Sequence, residues 1–215
     1  MNGSEIRALE NRLWKAADDL RANSKLTATE YSFPILGIIF LRHAYNRFKT
    51  AKVEIEKTQP VHPVRGIKPI DKNDFLAAKA IFLPENARWN SILDLPESID
   101  IGEHINKAMK SIEEEYPDLV GILPKSYNLF DKELLQRILR IFNDDALENV
   151  SGDVFGIIYE YFLNKFAMSG AQDGGEFFTP LSLVKTIVNI IQPKSGKVFD
   201  PAAGSAGMFV QTAHF

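Results

Sequence analysis

The stretch from Val198 to Val210 constrains the fold of this chain more than any other. The apolar pair Val198-Phe199 is followed by the small-residue run Asp200-Pro-Ala-Ala-Gly-Ser-Ala-Gly207 and then by Met208-Phe-Val210. This order predicts a short strand, a tight turn and a helix. Small residues let a ligand approach the backbone, and a helix start offers free N–H groups to an anionic group. Open α/β sheets bind ligands at such turns, although a glycine-rich turn alone more often serves packing.

The residues before this turn predict a loop followed by a helix. Residues 170–180 are rich in glycine and end in Thr179-Pro180. Threonine is a good N-cap and proline suits the first helical position, so a helix is expected to start there. Pro193 ends the helical pattern, whose apolar positions are Leu181, Val184, Ile187, Val188 and Ile191.

The first part of the chain reads as helical. Apolar residues at three- and four-residue spacing predict a first helix with Ser4 as its N-cap. Thr27 and Glu30 have the spacing of a capping box and open a second helix, which carries Pro34 in its second turn. The apolar positions of this helix go nearly all the way round, so we expect it to be the buried centre. The pattern changes at about residues 50–74, and within this stretch residues 57–66 carry three breakers and predict a loop.

Further helical patterns and a domain boundary follow. Asp131 is a predicted N-cap, and the acidic, polar residues 143–153 mark a boundary between domains of residues 1–150 and 151–215. The other helices are predicted at residues 75–82, 92–109 and 154–166.

Composition excludes several classes of protein. Hydrophobic residues make up 45% of the chain, charged residues 25%, and the net charge is −3, which is typical of a soluble globular protein. The whole-chain charge shows no nucleic-acid footprint, so DNA contact must be local or supplied by a partner. The absence of cysteine excludes disulfides and thiolate metal sites. The longest apolar run, residues 33–41, is too short to cross a membrane, and we expect a cytoplasmic protein.

Scattered polar residues give no catalytic or metal site. The four histidines lack metal-ligand spacing and are expected to be structural. The basic, aromatic cluster of residues 42–49 is expected to be a solvated helix end rather than a DNA contact. Residues 113–115, all glutamate, are expected to form an exposed helix face.

Two motifs together resemble a known family. The segment Gly174-Gly-Glu-Phe-Phe-Thr-Pro180, followed after one helix by Val198-Phe-Asp-Pro-Ala-Ala-Gly-Ser-Ala-Gly207, resembles the paired cofactor motifs of N6-adenine DNA methyltransferases. More narrowly, the chain is similar to the modification subunit of type I restriction-modification systems. Residues 9–14, 20–26 and 38–42 resemble the helical domain that precedes the catalytic domain in those subunits. The resemblance implies a mainly α N-terminal helical domain, followed by the incomplete beginning of an α/β Rossmann-like methyltransferase domain.

The same resemblance implies a site for the cofactor S-adenosyl-L-methionine. Asp200 would orient its loop or meet the ammonium group of the cofactor. One side of the cofactor would be lined by Glu176, Phe177, Phe178, Thr179, Pro180 and Leu181, and its amino-acid end would be cradled by Gly204, Ser205, Ala206 and Gly207. Ala206 departs from the family pattern, because many relatives have a glycine there. Phe177 and Phe178 are alternatively core anchors of their loop.

The resemblance also implies an activity and partners. The intact subunit would transfer a methyl group to adenine N6 in a specific DNA sequence, working with a specificity subunit, a restriction subunit and a second copy of itself. The Asn-Pro-Pro-aromatic motif that holds adenine in the family is absent, so this chain alone is not expected to catalyse methyl transfer. One alternative is a non-enzymatic assembly module from a truncated or split gene, which binds the specificity subunit or DNA. Another is a degenerate fragment with neither property.

Overall fold

The computed structural model describes residues 3–22, 24–58, 61–62, 66–67, 69–148, 152–174, 179, 181–203 and 207–213. The chain divides into two compact units, Met1–Leu163 and Asn164–Phe215. The helices are α1 (Gly3–Ala22), α2 (Ala28–Thr58), α3 (Lys72–Ala77), α4 (Trp89–Leu93), α5 (Ile101–Glu115), α6 (Lys132–Phe142), α7 (Gly152–Gly174), α8 (Leu181–Ile191) and α9 (Gly207–Ala213). Two short strands, β1 (Val61–His62) and β2 (Gly66–Ile67), pair antiparallel. The boundary between the units falls inside α7.

The helix α2 is the buried centre of the first unit, as the sequence predicts. Its N-terminus has the predicted capping box: the Thr27 N–H donates to Glu30 Oε2 at 2.9 Å, and the Glu30 N–H donates to Thr27 Oγ1 at 3.3 Å. Side chains on several sides of the helix are at most 1% exposed, namely Tyr31, Ile35, Ile38, Ile39 and Leu41. Such burial on several sides requires other helices to pack around α2.

The C-terminal end of α2 lies beyond residue 50, where the sequence pattern changes, and overlaps the start of the loop predicted at residues 57–66. The helix continues to Thr58. Ala51 and Ile55 are one turn apart and both buried, so the apolar face of the helix extends beyond Phe48. The first breaker after residue 50 is Pro60, and no proline or glycine between residues 50 and 59 interrupts helical hydrogen bonding.

Several other boundaries differ from the predicted ones. The helix α1 already begins at Gly3, which places Ser4 inside its first turn rather than at the cap. The pattern of residues 92–109 belongs to two helices, α4 and α5, because Pro96 lies between them. The prediction for α6 is confirmed, with Asp131 Oδ1 accepting from the Leu134 N–H at 2.7 Å. The helix at residues 154–166 is also confirmed but is longer, since α7 runs from Gly152 to Gly174.

The helix α3 lies earlier in the chain than predicted, at Lys72–Ala77 instead of residues 75–82. Asp71 caps it with a capping box that also uses the Asp74 side chain. The helix ends when Lys79 takes a positive φ of 54°. The Ala80 N–H then donates to Phe75 O at 2.9 Å and the Lys79 N–H donates to Leu76 O at 3.0 Å. This is a Schellman motif, in which glycine usually takes the position of Lys79.

The connection between α5 and α6 is held against α2 by a buried tyrosine. Tyr127 has no exposed surface, and its Oη donates to Pro34 O at 2.9 Å. A Cβ atom at Gly37 would lie 2.3 Å from Tyr127 Oη and 2.4 Å from Pro124 Cγ. A Cβ atom at Gly102 would lie 2.7 Å from Tyr127 O. Glycine at these two positions allows the close approach of the connection to α2 and α5.

Glu113 corrects the prediction that residues 113–115 form an exposed helix face. Its carboxylate is buried, and Oε1 accepts from the Gly121 N–H at 3.2 Å, the Leu123 N–H at 3.1 Å and Lys125 Nζ at 2.5 Å. Burial acts to raise its pKa, but these hydrogen bonds outweigh burial and hold the pKa of Glu113 below the ordinary 4.5. The ionised carboxylate therefore fixes the start of the connection.

The second unit is helical where the structure describes it. The helices α8 and α9 pack on each other, and Val184 and Val188 of α8 are buried. Residues 170–174, predicted as loop, continue α7. The predicted strand at Val198-Phe199 is wrong: both residues lie in irregular chain, 50% and 85% exposed. A strand requires a hydrogen-bonded neighbour, and none lies within the described part of this unit, so a Rossmann-like sheet is not seen.

No helix within the described ranges is both long enough and apolar enough to cross a membrane.

We expect Gly37→Ala to lower the free energy of unfolding by about 1–3 kcal/mol, because the new methyl group overlaps Tyr127 Oη and Pro124. Urea denaturation followed by circular dichroism measures the change. Gly156→Ala in α7 is the matched control. A Cβ atom there meets nothing within 4 Å, so the change should stabilise the chain by about 0.5–1 kcal/mol. Equal effects of both changes would contradict this packing.

We expect Glu113→Gln to flatten the acid side of the stability profile. The depressed pKa of Glu113 in the folded state means that its contribution is fully present above its ordinary pKa of 4.5 and is lost as the pH falls through the folded-state value. Urea midpoints measured between neutral pH and about pH 3 give the profile. The control is Glu114→Gln. Glu114 is exposed, and its ion pair with Lys110 Nζ is long, at 3.8 Å. An unchanged acid slope in the Glu113 variant would contradict the assignment.

Candidate functional site

The predicted cofactor residues lie only partly within the described chain. Thr179, Leu181, Asp200 and Gly207 are described. The other predicted residues lie outside the described ranges, namely Glu176, Phe177, Phe178, Pro180, Gly204, Ser205 and Ala206. Thr179 is exposed in irregular chain, Leu181 begins α8, and Gly207 begins α9. Each motif therefore leads into a helix, and these two helices pack on each other.

Asp200 shapes the start of the second motif. Its Oδ1 accepts from the Ala202 N–H at 2.9 Å, two residues further along the chain. This is an Asx turn, in which a side chain takes the place of a backbone acceptor. The contact holds the backbone at Ala202, and the loop-orienting role of Asp200 in a cofactor site stays a prediction. The alternative role, contact with the ammonium group of a cofactor, stays a prediction.

The described residues of the second motif are exposed or half-buried. Pro201 and Ala202 are exposed, and Asp200 and Ala203 are half-buried. A Cβ atom built on Gly207 meets no heavy atom within 4 Å. A side chain at position 207 would therefore enter open space, and its effect on ligand binding can be measured without an internal clash.

The basic cluster of residues 42–49 is not a solvated helix end. It lies in the middle of α2, and Arg42 is 3% exposed. Arg42 Nε donates to Phe142 O at 3.1 Å, and its Nη1 donates to Asn46 Oδ1 at 3.0 Å. Asn46 Nδ2 donates in turn to Leu147 O at 2.7 Å, and the Arg42 guanidinium lies 5.5 Å from the centre of the Trp89 ring. This network joins α2 to the end of α6.

The remaining members of the cluster also serve the first unit. Lys49 Nζ lies 2.9 Å from Glu148 Oε1 and 5.4 Å from the centre of the Tyr45 ring. The His43 ring lies 4.8 Å from that of Phe155, and burial, aided by Arg47, holds the pKa of His43 below its usual 6.5. A neutral His43 and a buried Arg42 do not provide the exposed positive charge that DNA phosphates require.

Sequence reasoning missed Arg42, Asn46 and Glu113 as structural groups. One signal was available for Arg42, because it directly follows the apolar run of residues 33–41 and precedes Asn46 by one helical turn. Of the histidines, His104 places its Nε2 3.0 Å from Asn86 O, and no group of three or more metal-ligating residues occurs in the described part of the chain. The side chains of His62 and His214 lie outside that part.

We expect Arg42→Leu to lower the free energy of unfolding by about 2–4 kcal/mol, since Phe142 O and the Asn46 side chain lose a buried charged donor. The control Lys49→Gln removes a cation from the same helix at an exposed ion pair and should cost at most about 1 kcal/mol. Thermal and urea denaturation give both values. A smaller loss for Arg42→Leu than for Lys49→Gln would contradict the buried network.

Comparisons with known proteins agree with the two-part organisation. Residues 9–142 match the HsdM N-terminal domain, and residues 150–215 match the N-6 DNA Methylase family. The first match ends at the last residue of α6, and the second covers α7, α8 and α9. The two family models therefore match successive, non-overlapping parts of the chain.

Curated relatives are methylase subunits. The chain is 38% identical, over 94% of its length, to the type I restriction enzyme MjaIX methylase subunit of Methanocaldococcus jannaschii. It is 31% identical over 62% of its length to the HindI methylase subunit of Haemophilus influenzae, and 28% identical over its full length to the EcoKI methylase subunit of Escherichia coli. It spans 38%, 35% and 36% of these three relatives. The match to the HsdM N-terminal domain covers more than half of the chain, which therefore belongs to the family of type I restriction-modification methylase subunits.

Proposed function

We propose that this chain contributes the S-adenosyl-L-methionine site of a site-specific DNA adenine N6-methyltransferase subunit of a type I restriction-modification system. The observation that carries the proposal is the pair of motifs ending at Leu181 and Gly207. Each leads into a helix, the two helices pack on each other, and residues 150–215 match N-6 DNA methylases. Because the chain spans 38% of its MjaIX relative, the activity and partners of the whole subunit are part of the proposal.

The residues of the site fit the chemistry of the cofactor. Asp200 is a half-buried carboxylate at the entry of the small-residue loop, and its charge complements the ammonium group of the methionine moiety. Gly204, Ser205, Ala206 and Gly207 allow the loop backbone to approach a ligand. Residues 176–181 would line the opposite side. S-adenosyl-L-methionine supplies the methyl group, and these residues bind and orient it.

Methylation of a DNA base requires more than a cofactor site. A methyltransferase that acts on a base takes that base out of the DNA stack and holds it by its edge. We assign no catalytic residue in this chain. We propose DNA, a specificity subunit, a restriction subunit and a second copy of the modification subunit as partners. Reading of the DNA sequence by the specificity subunit fits the ordinary net charge of −3.

A second candidate function, a non-enzymatic assembly module, is favoured by the contrast between the two units. The first unit has capped helices and contains all of the buried apolar side chains among the described residues except Phe166, Val184 and Val188. The second unit exposes large apolar side chains, including Ile190 at 76% and Phe199 at 85%. A module of this kind would bind partner subunits through the first unit without any affinity for the cofactor.

We expect saturable binding of S-adenosyl-L-methionine to the chain in isothermal titration calorimetry, abolished in the double variant Gly204→Asp, Gly207→Asp. The added carboxylates fill the backbone cradle, and at position 207 the added side chain enters open space. The far-ultraviolet circular dichroism of the variant should match that of the parent chain. Gly156→Asp, on the exposed side of α7, is the control and should bind normally.

Two results would contradict the proposal. No heat of binding at about millimolar cofactor would remove the proposed site and favour the assembly module, since weak specific binding is still detected at that concentration. Equal binding by the parent chain and the double variant would place the cofactor elsewhere.

A further inference from the structure

An apolar groove lies between α2 and the end of α3, apart in sequence from the proposed cofactor residues. Its volume is about 240 Å³. Phe40 and Ala44 of α2 line it on one side, and Leu76 and Ile81 line it on the other. Sites for small molecules usually measure about 300–1,000 Å³, so this groove fits a single large side chain better than a cofactor.

The rim of the groove is positively charged. Arg47 and Lys79 both line it, and no acidic residue is among the described residues that do so. Arg47 Nη2 donates to Ala78 O at 3.2 Å and to Lys79 O at 3.4 Å, which fixes the rim without neutralising its charge. Lys79 is exposed and takes part in none of the ion pairs between described residues. A ligand with a carboxylate beside an apolar group would complement both features.

Lys79 holds its position at a cost to the fold. It occupies the glycine position of the Schellman motif with φ 54°, a backbone conformation that residues other than glycine rarely adopt. Leu76, one turn earlier, is 50% exposed although it is apolar. Stability alone would favour glycine at position 79 and a polar residue at position 76. Lys79 and Leu76 both line the groove.

We propose that this groove binds a segment of another protein in which one large apolar side chain is flanked by carboxylates. A protein segment fits better than DNA, because a phosphate backbone would use only the cations and would leave the apolar walls against water. The apolar side chain would enter between Phe40 and Leu76, and the flanking carboxylates would meet Lys79 and Arg47. The inference concerns the first unit and does not depend on cofactor binding.

Fluorescence anisotropy with labelled peptides tests the proposal on the full chain. The probe is a blocked peptide with a central leucine between glutamates. Two comparison peptides carry serine in place of the leucine or lysines in place of the glutamates. We expect saturable binding of the probe only, weakened about fivefold or more by Lys79→Gln or by Leu76→Ser. Lys15→Gln, at an exposed lysine of α1, is the control and should bind as the parent chain does.

Lys79→Gly separates binding from folding. Glycine relieves the positive φ, so this variant should be more stable than the parent chain in thermal denaturation and yet bind the probe about fivefold or more weakly. Weaker binding therefore cannot be attributed to unfolding.

Three outcomes would overturn the proposal. The first is the absence of probe binding at about millimolar peptide. The second is binding that Lys79→Gln and Leu76→Ser leave unchanged. The third is binding of a short DNA duplex with the same dependence on Lys79, which would assign the rim to nucleic acid. Calorimetry with S-adenosyl-L-methionine should be the same for Lys79→Gln and the parent chain, so failure here and failure of the cofactor site can be told apart.

Discussion

Burial of α2 is the constraint on which the first unit depends. A helix of 31 residues with apolar side chains on several sides is stable only when other elements exclude water from it. Each attachment to it has its own chemistry. Tyr31 Oη donates to Ala17 O of α1 at 2.8 Å, Tyr127 Oη donates to Pro34 O, and Arg42 donates to Phe142 O at the end of α6. These polar contacts satisfy buried groups and fix the positions at which the surrounding segments meet α2.

The two units differ in how well their own residues provide partners for polar groups and cover apolar side chains. In the first unit, a buried carboxylate, a buried guanidinium and a buried tyrosine all have partners. In the second unit, α8 buries Val184 and Val188 but leaves Leu183, Ile190 and Ile191 exposed. The Val198-Phe199 pair has the composition of a strand, and no strand lies beside it among the described residues. Apolar exposure on this scale is typical of a surface that another segment covers.

Local signals were enough to predict much of the fold. The capping box of α2, the Asp131 cap and the apolar spacing of α8 depend on neighbouring residues and were read correctly. The errors have non-local causes. Burial of Ala51 and Ile55 extends α2, and Lys79 ends α3 in a conformation that favours glycine. Glu113 and Arg42 look like surface charges in the sequence, and only the positions of Gly121 and Phe142 in space make them interior groups.

A strand at Val198-Phe199 cannot be judged from its own residues, because pairing depends on another strand. The whole proposed cofactor site, at residues 176–181, Asp200 and residues 204–207, stays a prediction from resemblance.

Hydrogen exchange with and without S-adenosyl-L-methionine locates the cofactor on the chain and so tests whether the two motifs form its site. We expect slower exchange on adding the cofactor in peptides that contain residues 176–181 and 200–207. We also expect that α2 is already the best protected segment without ligand and does not change. Protection confined to residues 1–163, or no change anywhere at saturating cofactor, would contradict the claim that the two motifs form the cofactor site.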